Sequence, residues 1–128
     1  YIMKPFFYVL IFGLMFNCAY GQQSKGVCKI EVTDISKLIS FGYLVGYTAE
    51  FKNNSNKTVD GIYWTTYYIN NNGDYIKTES DSFNASNQID PIQSGFKKSL
   101  VRAPRIKNAS KLIIVINKVH FTDGTSCN

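Results

Sequence analysis

"EFKNNSNKTVDGIYWTTYYINNNGDYI" (Glu50–Ile76) is the stretch whose reading decides the fold. Two runs rich in aromatic and β-branched residues are divided by clusters of Asn, Ser, Lys and Gly. Within Val59–Ile69 the apolar period is two: Ile62, Trp64, Thr66 and Tyr68 share one face, and Tyr63, Thr65 and Tyr67 share the other. A period of two belongs to a pleated strand rather than a helix, and aromatic and β-branched side chains suit that surface. "NNSNKT" (Asn53–Thr58) ends the strand before it and turns the chain. "NNNGD" (Asn70–Asp74) makes a second turn, with Asn72-Gly73 suited to positive φ, and Tyr75–Thr78 starts a return strand.

The same texture extends both ways. In Tyr43–Lys52, alternation places Tyr43, Val45, Tyr47, Ala49 and Phe51 on the core face, opposite Leu44, Gly46, Thr48, Glu50 and Lys52. "VCKIEVTDI" (Val27–Ile35) reads as an opening strand; "SKLISFGYL" is the nearest approach to a helix, weakened by its glycine. Downstream, Glu79–Gln88 reads as a loop or an irregular edge strand. Ile89–Gly95 is a connection whose Pro91 cannot donate to a ladder, and Phe96–Val101 is a short strand. After a connection at Ala103–Ser110 comes the strongest strand, "KLIIVINKVHF" (Lys111–Phe121). Its Leu112–Ile116 segment is apolar on both faces and is expected to be fully buried. Thr122–Thr125 is a hairpin turn. About seven short strands with closely spaced turns predict an all-β domain, a single immunoglobulin-like β-sandwich.

The amino-terminal end has a different character. Lys4 precedes Phe6–Phe16, an apolar run of eleven residues, followed by "AYG" (Ala19–Gly21). The run is short of the roughly 20 residues needed to span a bilayer, and it matches a secretory signal starting at Met3 and cleaved after Gly21. Lipid attachment at Cys18 is the alternative processing route. The expected organisation is a signal peptide at 1–21 and a β-sandwich domain at 22–128, exported to the periplasm, the cell surface or the medium. The mature part has about 107 residues, enough for one core but not two, and no membrane span. Net charge is +5 for the whole chain and falls by one with Lys4. Lys97, Lys98, Arg102, Arg105, Lys107, Lys111 and Lys118 follow one another with no intervening acid, reading as a solvated surface or a stripe for an acidic polymer or anionic lipid. Export argues against a nucleic-acid partner.

At this point the chain resembles small exported bacterial sandwich domains of the FxLYD type and related uncharacterised families. "YTAEFKNNSNKTVDGIYWTTYYINNNGDYI" is similar to their central strand–"KNxSxKxV"–strand signature. "DPIQSGFKKSL" is similar to their proline-glycine connection, and "INKVHFTDGT" to a closing "KVxxxDGT". The resemblance spans Tyr43–Thr125. It implies a fold and an accessory role, and supplies no catalytic residues.

Direct signs of chemistry are sparse. His120 is the single histidine and reads as a strand-end rim residue beside Lys118 and Asp123. A zinc site would have to combine it with Cys28 and Cys127, without CxxC spacing. Asp34, Glu50, Asp60, Asp74, Glu79, Asp81, Asp90 and Asp123 are scattered, and no phosphate loop or calcium loop is present. No enzyme activity and no cofactor are expected. Sequons at Asn53, Asn56, Asn84 and Asn108 read as turn composition. The remaining functional lead is Tyr63, Thr65 and Tyr67. If their face is open, it is an aromatic strip for a glycan or protein partner; the alternatives are that both faces are covered, or that the tyrosines cover neighbouring strands as cross-strand pairs.

Export also bears on Cys28 and Cys127, the cysteines left after processing, because thiols tend to oxidise outside the cytoplasm. A bond between them requires the tail after Gly124 to fold back, or the first strand to run antiparallel to the last. Unpaired thiols and an intermolecular link are the alternatives.

Overall fold

The computed structural model describes residues 28–128. The segment expected to be a signal peptide, its expected cleavage position and Cys18 lie outside the described residues.

Eight strands follow one another: β1 (Ile30–Ser40), β2 (Tyr43–Asn53), β3 (Val59–Ile69), β4 (Tyr75–Asn84), β5 (Lys97–Arg102), β6 (Ile106–Lys107), β7 (Lys111–Phe121) and β8 (Ser126–Cys127). They form two antiparallel sheets packed as a β-sandwich. One has the order β1-β2-β5, with β6 pairing the start of β2; the other has the order β4-β3-β7-β8. No helix occurs among the described residues.

β3 and β7 occupy the ranges their period predicts. β3 turns Ile62, Trp64, Thr66 and Tyr68 inward, all buried. Trp64 meets Phe51 of β2 at 5.0 Å between ring centroids, so the two sheets interlock at an aromatic pair. The polar atoms that come inside are paired. Trp64 Nε1 donates to the Tyr47 hydroxyl at 3.4 Å, and the Tyr47 and Thr66 hydroxyls share a hydrogen bond at 3.2 Å. Burial pushes the Tyr47 and Tyr68 phenols above their ordinary range, so both stay protonated in the core.

Three expectations are corrected and one pair of alternatives is decided. The opening strand is shifted: β1 begins at Ile30 and runs on to Ser40, and the segment nearest to a helix (Ser36–Leu44) is the end of β1, a tight turn and the start of β2. In β2 the face assignment holds for Tyr47, Ala49 and Phe51 but reverses upstream, where Leu44 is buried and Tyr43 and Val45 are not. Leu38 pairs with Gly46 and Ile39 with Leu44, leaving Val45 as an extra residue. One inserted residue exchanges the faces of everything beyond it. Of the two readings of Glu79–Gln88, the edge strand holds for Glu79–Asn84, the second half of β4, which lies at the edge of its sheet. In β7, Leu112, Ile114 and Ile116 are buried, yet Val115 is 42% exposed, so the segment is covered on one face only.

At one end of the sandwich, Asn53 is a completely buried hub. Its Nδ2 donates to the carbonyls of Lys57 (2.7 Å) and Ile92 (2.9 Å). Its Oδ1 accepts from the backbone N–H and the hydroxyl of Ser55 (3.0 and 2.6 Å). This amide ties the β2–β3 turn to the segment that crosses from β4 to β5. The sequon at Asn53 is therefore structural.

Cys28 and Cys127 form a disulfide at the same end, with Cα atoms 6.0 Å apart. Both conditions set by the sequence are met. Lys37 of β1 reaches the Ser110 carbonyl just before β7 (2.6 Å), while the start of β1 meets the end of β7, so the two strands run in opposite senses. The tail also folds back as β8, where Cys127 pairs with Val119.

Candidate functional site

The outer face of the β4-β3-β7 sheet carries Tyr63, Thr65 and Tyr67 in one line, as the period of β3 requires. On the β4 side their register partners are Ser82, Ser80 and Thr78. On the β7 side they are Lys118, Val115 and Ile113. The strip thus has a hydroxyl flank, an aromatic centre and an aliphatic flank. Among the described residues no element packs over it.

Each member is held in place. The Tyr63 hydroxyl donates to Asn84 Oδ1 at 2.9 Å, and the Lys118 ammonium sits 5.8 Å from its ring centroid. Asn117 Nδ2 donates to Thr65 Oγ1 at 2.8 Å. Tyr75, itself 67% exposed, meets Tyr67 edge-on at 6.0 Å. These contacts fix the rings before any partner arrives, which lowers the ordering cost of binding. The face is bordered by an edge: β8 pairs β7 only at Val119 and His120, leaving Lys111–Lys118 without a strand neighbour on that side among the described residues. Lys111, Lys118 and the extra residue Asn117 in the β3–β7 register limit the self-pairing that an open edge invites.

His120 is not joined to Asp123. Its Nδ1 lies 2.5 Å from Asp60 Oδ1. Gly61, the register partner of His120 and the neighbour of Asp60, leaves little room for a side chain, because a Cβ there would come within 3.2 Å of His120 Cβ. No hydroxyl or thiol is hydrogen-bonded to His120 among the described residues, and the disulfide removes both cysteines from the zinc set considered above. Among the described residues no three His, Cys, Asp or Glu side chains come together as a metal cluster. The carboxylates are largely committed elsewhere: Asp81 to Arg102, Asp123 to Lys57, Glu79 to Lys77 and Glu50 to Lys97. The Thr33 hydroxyl, helped by Lys97, holds the Glu50 carboxyl below its usual range.

The basic run does not form one stripe. Lys97, Lys98 and Arg102 lie on β5 in one sheet, and Lys111 and Lys118 lie on β7 in the other. Several are spent on aromatic rings, Lys98 over Phe83 and Arg105 over Tyr43. No helix among the described residues is long and apolar enough to cross a membrane.

No family model matches the chain, and no curated protein matches it. Among solved structures, a DUF1425 family member from Shewanella sp. pv-4 is similar, with a TM-score of 0.50 and 10% sequence identity. The similarity covers 69% of this chain and 76% of that one. At that identity the likeness is one of fold.

Proposed function

We propose that this chain is a non-enzymatic interaction module of the cell envelope or of the secreted fraction, and that it docks a protein partner on the outer face of the β4-β3-β7 sheet. The carrying observation is the uncovered strip of Tyr63, Thr65, Tyr67 and Tyr75 beside Ile113 and Val115. Aromatic rings next to aliphatic side chains, rimmed by hydroxyls and lysines, match the composition of protein interface cores and their rims. The apolar leader and the disulfide support an exported setting. The turn motifs support an immunoglobulin-like sandwich of the FxLYD type.

A glycan stacking on the same strip is the second reading, favoured by the tyrosines themselves. The aliphatic flank weighs against it, since Ile113 and Val115 offer sugar hydroxyls no hydrogen bond. A photo-activated cross-linker at position 115, expressed in the native host, tests the proposal. A discrete protein adduct at 115, absent with the cross-linker at Lys52 on the other sheet, is the expected result. No adduct, or the same adducts from both positions, overturns it.

A further inference from the structure

The end of the sandwich farthest from the disulfide holds a cleft of about 410 Å³. Its lining includes Ile39, Asn70, Asn71, Asn72, Asn108 and Ser110. It is built where the β1–β2, β3–β4 and β6–β7 turns converge. Backbone bonds join these turns: Asn108 N–H donates to the Gly42 carbonyl at 2.7 Å, and Ser110 N–H to the Ile69 carbonyl at 2.8 Å. The walls are thus fixed to the sheets, and the volume lies in the roughly 300–1,000 Å³ range of small-ligand sites.

We propose that this cleft binds an acidic saccharide, with Phe41 as its stacking platform. The donor set is the first ground. The side-chain amides of Asn71, Asn72 and Asn108 make no hydrogen bond to other described residues, whereas the Asn70 Oδ1 is occupied by the N–H groups of Asn72 and Asp74. An amide offers both donors and an acceptor, which complements a sugar hydroxyl that is both at once.

Phe41 is the second ground. It is 100% exposed, and with Gly42, a lining residue, it forms the β1–β2 turn at φ 50° and 78°. Positive φ at both central positions belongs to a tight hairpin turn, where Asn or Gly is the usual occupant and a bulky aromatic is rare. An aromatic ring held out in water in a rare conformation, with no packing in return, points to a ligand contact. Its π face accepts the C–H groups of a pyranose ring.

Charge selects the class of sugar. Lys37 Nζ is bonded to the carbonyl of Ser110, a lining residue. Register places Lys107 beside Tyr43, next to Gly42, and Lys111 beside Ile69, next to Asn70. Asp74 is the acid in the same turns, so cations outnumber carboxylates around the opening and favour an anionic ligand.

The test titrates isotope-labelled protein with tri-galacturonate, with tri-mannuronate, and with the methyl ester of the former, which keeps the ring and loses the charge. The expected result is shifted amides at residues 41–43, 70–72 and 107–111 with an acidic trimer. The ester should bind at least tenfold more weakly, and added salt should reduce binding of the acid. Phe41→Ala should lower affinity at least tenfold with an unchanged melting temperature. Val115→Asp, on the sheet face at issue above, should leave it unaltered. Absence of loop-end shifts with both acidic trimers at millimolar concentration, equal affinity for the ester, or full affinity in Phe41→Ala overturns the proposal.

Discussion

Arg102 of β5 reaches across the sandwich to Asp81 of β4, Nε to Oδ1 at 2.9 Å, with its guanidinium 5.3 Å from the centroid of the Trp64 ring. A second nitrogen donates to the Ser82 carbonyl at 2.6 Å. One side chain therefore joins the two sheets through an ion pair, a backbone bond and a ring contact. Asp81→Ala leaves that partly buried guanidinium without its carboxylate and should cost about 2 kcal/mol in urea unfolding. Arg102→Lys should not restore the wild-type value, because an ammonium cannot serve the carboxylate and carbonyl as a planar fork while covering the indole.

Trp64 is the largest fully buried side chain. Trp64→Ala should lower stability by about 3–5 kcal/mol through lost burial and the cavity left beside Phe51. A loss under about 1 kcal/mol in denaturant titration would mean that the indole is outside the core.

Removing the Asn53 amide strands two carbonyls and the Ser55 N–H in a closed space. Asn53→Ala should cost about 3 kcal/mol, and Ser55→Ala about 1 kcal/mol, since the second leaves the other Asn53 bonds intact. Hydrogen exchange should show the Asn53→Ala effect concentrated in the β2–β3 turn and the Gln93–Phe96 segment.

The disulfide closes 99 residues of sequence separation. Chain entropy allows it to contribute up to about 4.7 kcal/mol at that loop size. Unfolding with and without reductant should show the loss, and non-reducing mass spectrometry should find no free thiol at Cys28 or Cys127. A covalent dimer, or two free thiols per chain, would contradict the bond.

Asp123 links acidity to the β7–β8 hairpin. Its carboxyl is lowered from 3.8 to about 2, first by the Thr125 hydroxyl, then by the Thr125 N–H and Lys57. A pKa lower in the folded than in the unfolded chain stabilises the fold fully above about pH 4 and ceases to do so as pH falls through about 2. Melting curves of wild type and Asp123→Asn should therefore differ at pH 5 and converge by pH 2. A gap that widens on acidification would exclude this assignment.

What the sequence disclosed follows from where one physical signal dominates. The bounds of β7 and β3 are legible in the sequence, β7 from its apolar, β-branched run and β3 from its period-two patterning between polar turns. The Trp64 face and the line of Tyr63, Thr65 and Tyr67 came with it. Val45 was misplaced because an inserted residue leaves no mark in composition, only in the pairing with Leu38 and Ile39. Val115 was expected inside because apolarity on both faces reads as double cover, whether or not a second layer exists. Asn53 looked like any turn asparagine, since sequence does not distinguish a solvated amide from one with four bonds. Asp60 and His120 are sixty positions apart, and only the pairing of β3 with β7 brings them together.

The Cys28–Cys127 bond also decides how the domain answers to tension. A pull applied through the backbone on the far sides of the two cysteines travels along covalent sulfur and bypasses both sheets. The sandwich then hangs from the tether as a closed ring, unstretched, with its ladders unsheared. Reduction turns the same pull onto β1 and β8 directly, and the short β8, paired only at Val119 and His120, gives way first. Under such a load the oxidised domain is a passive bead and the reduced domain an extensible one.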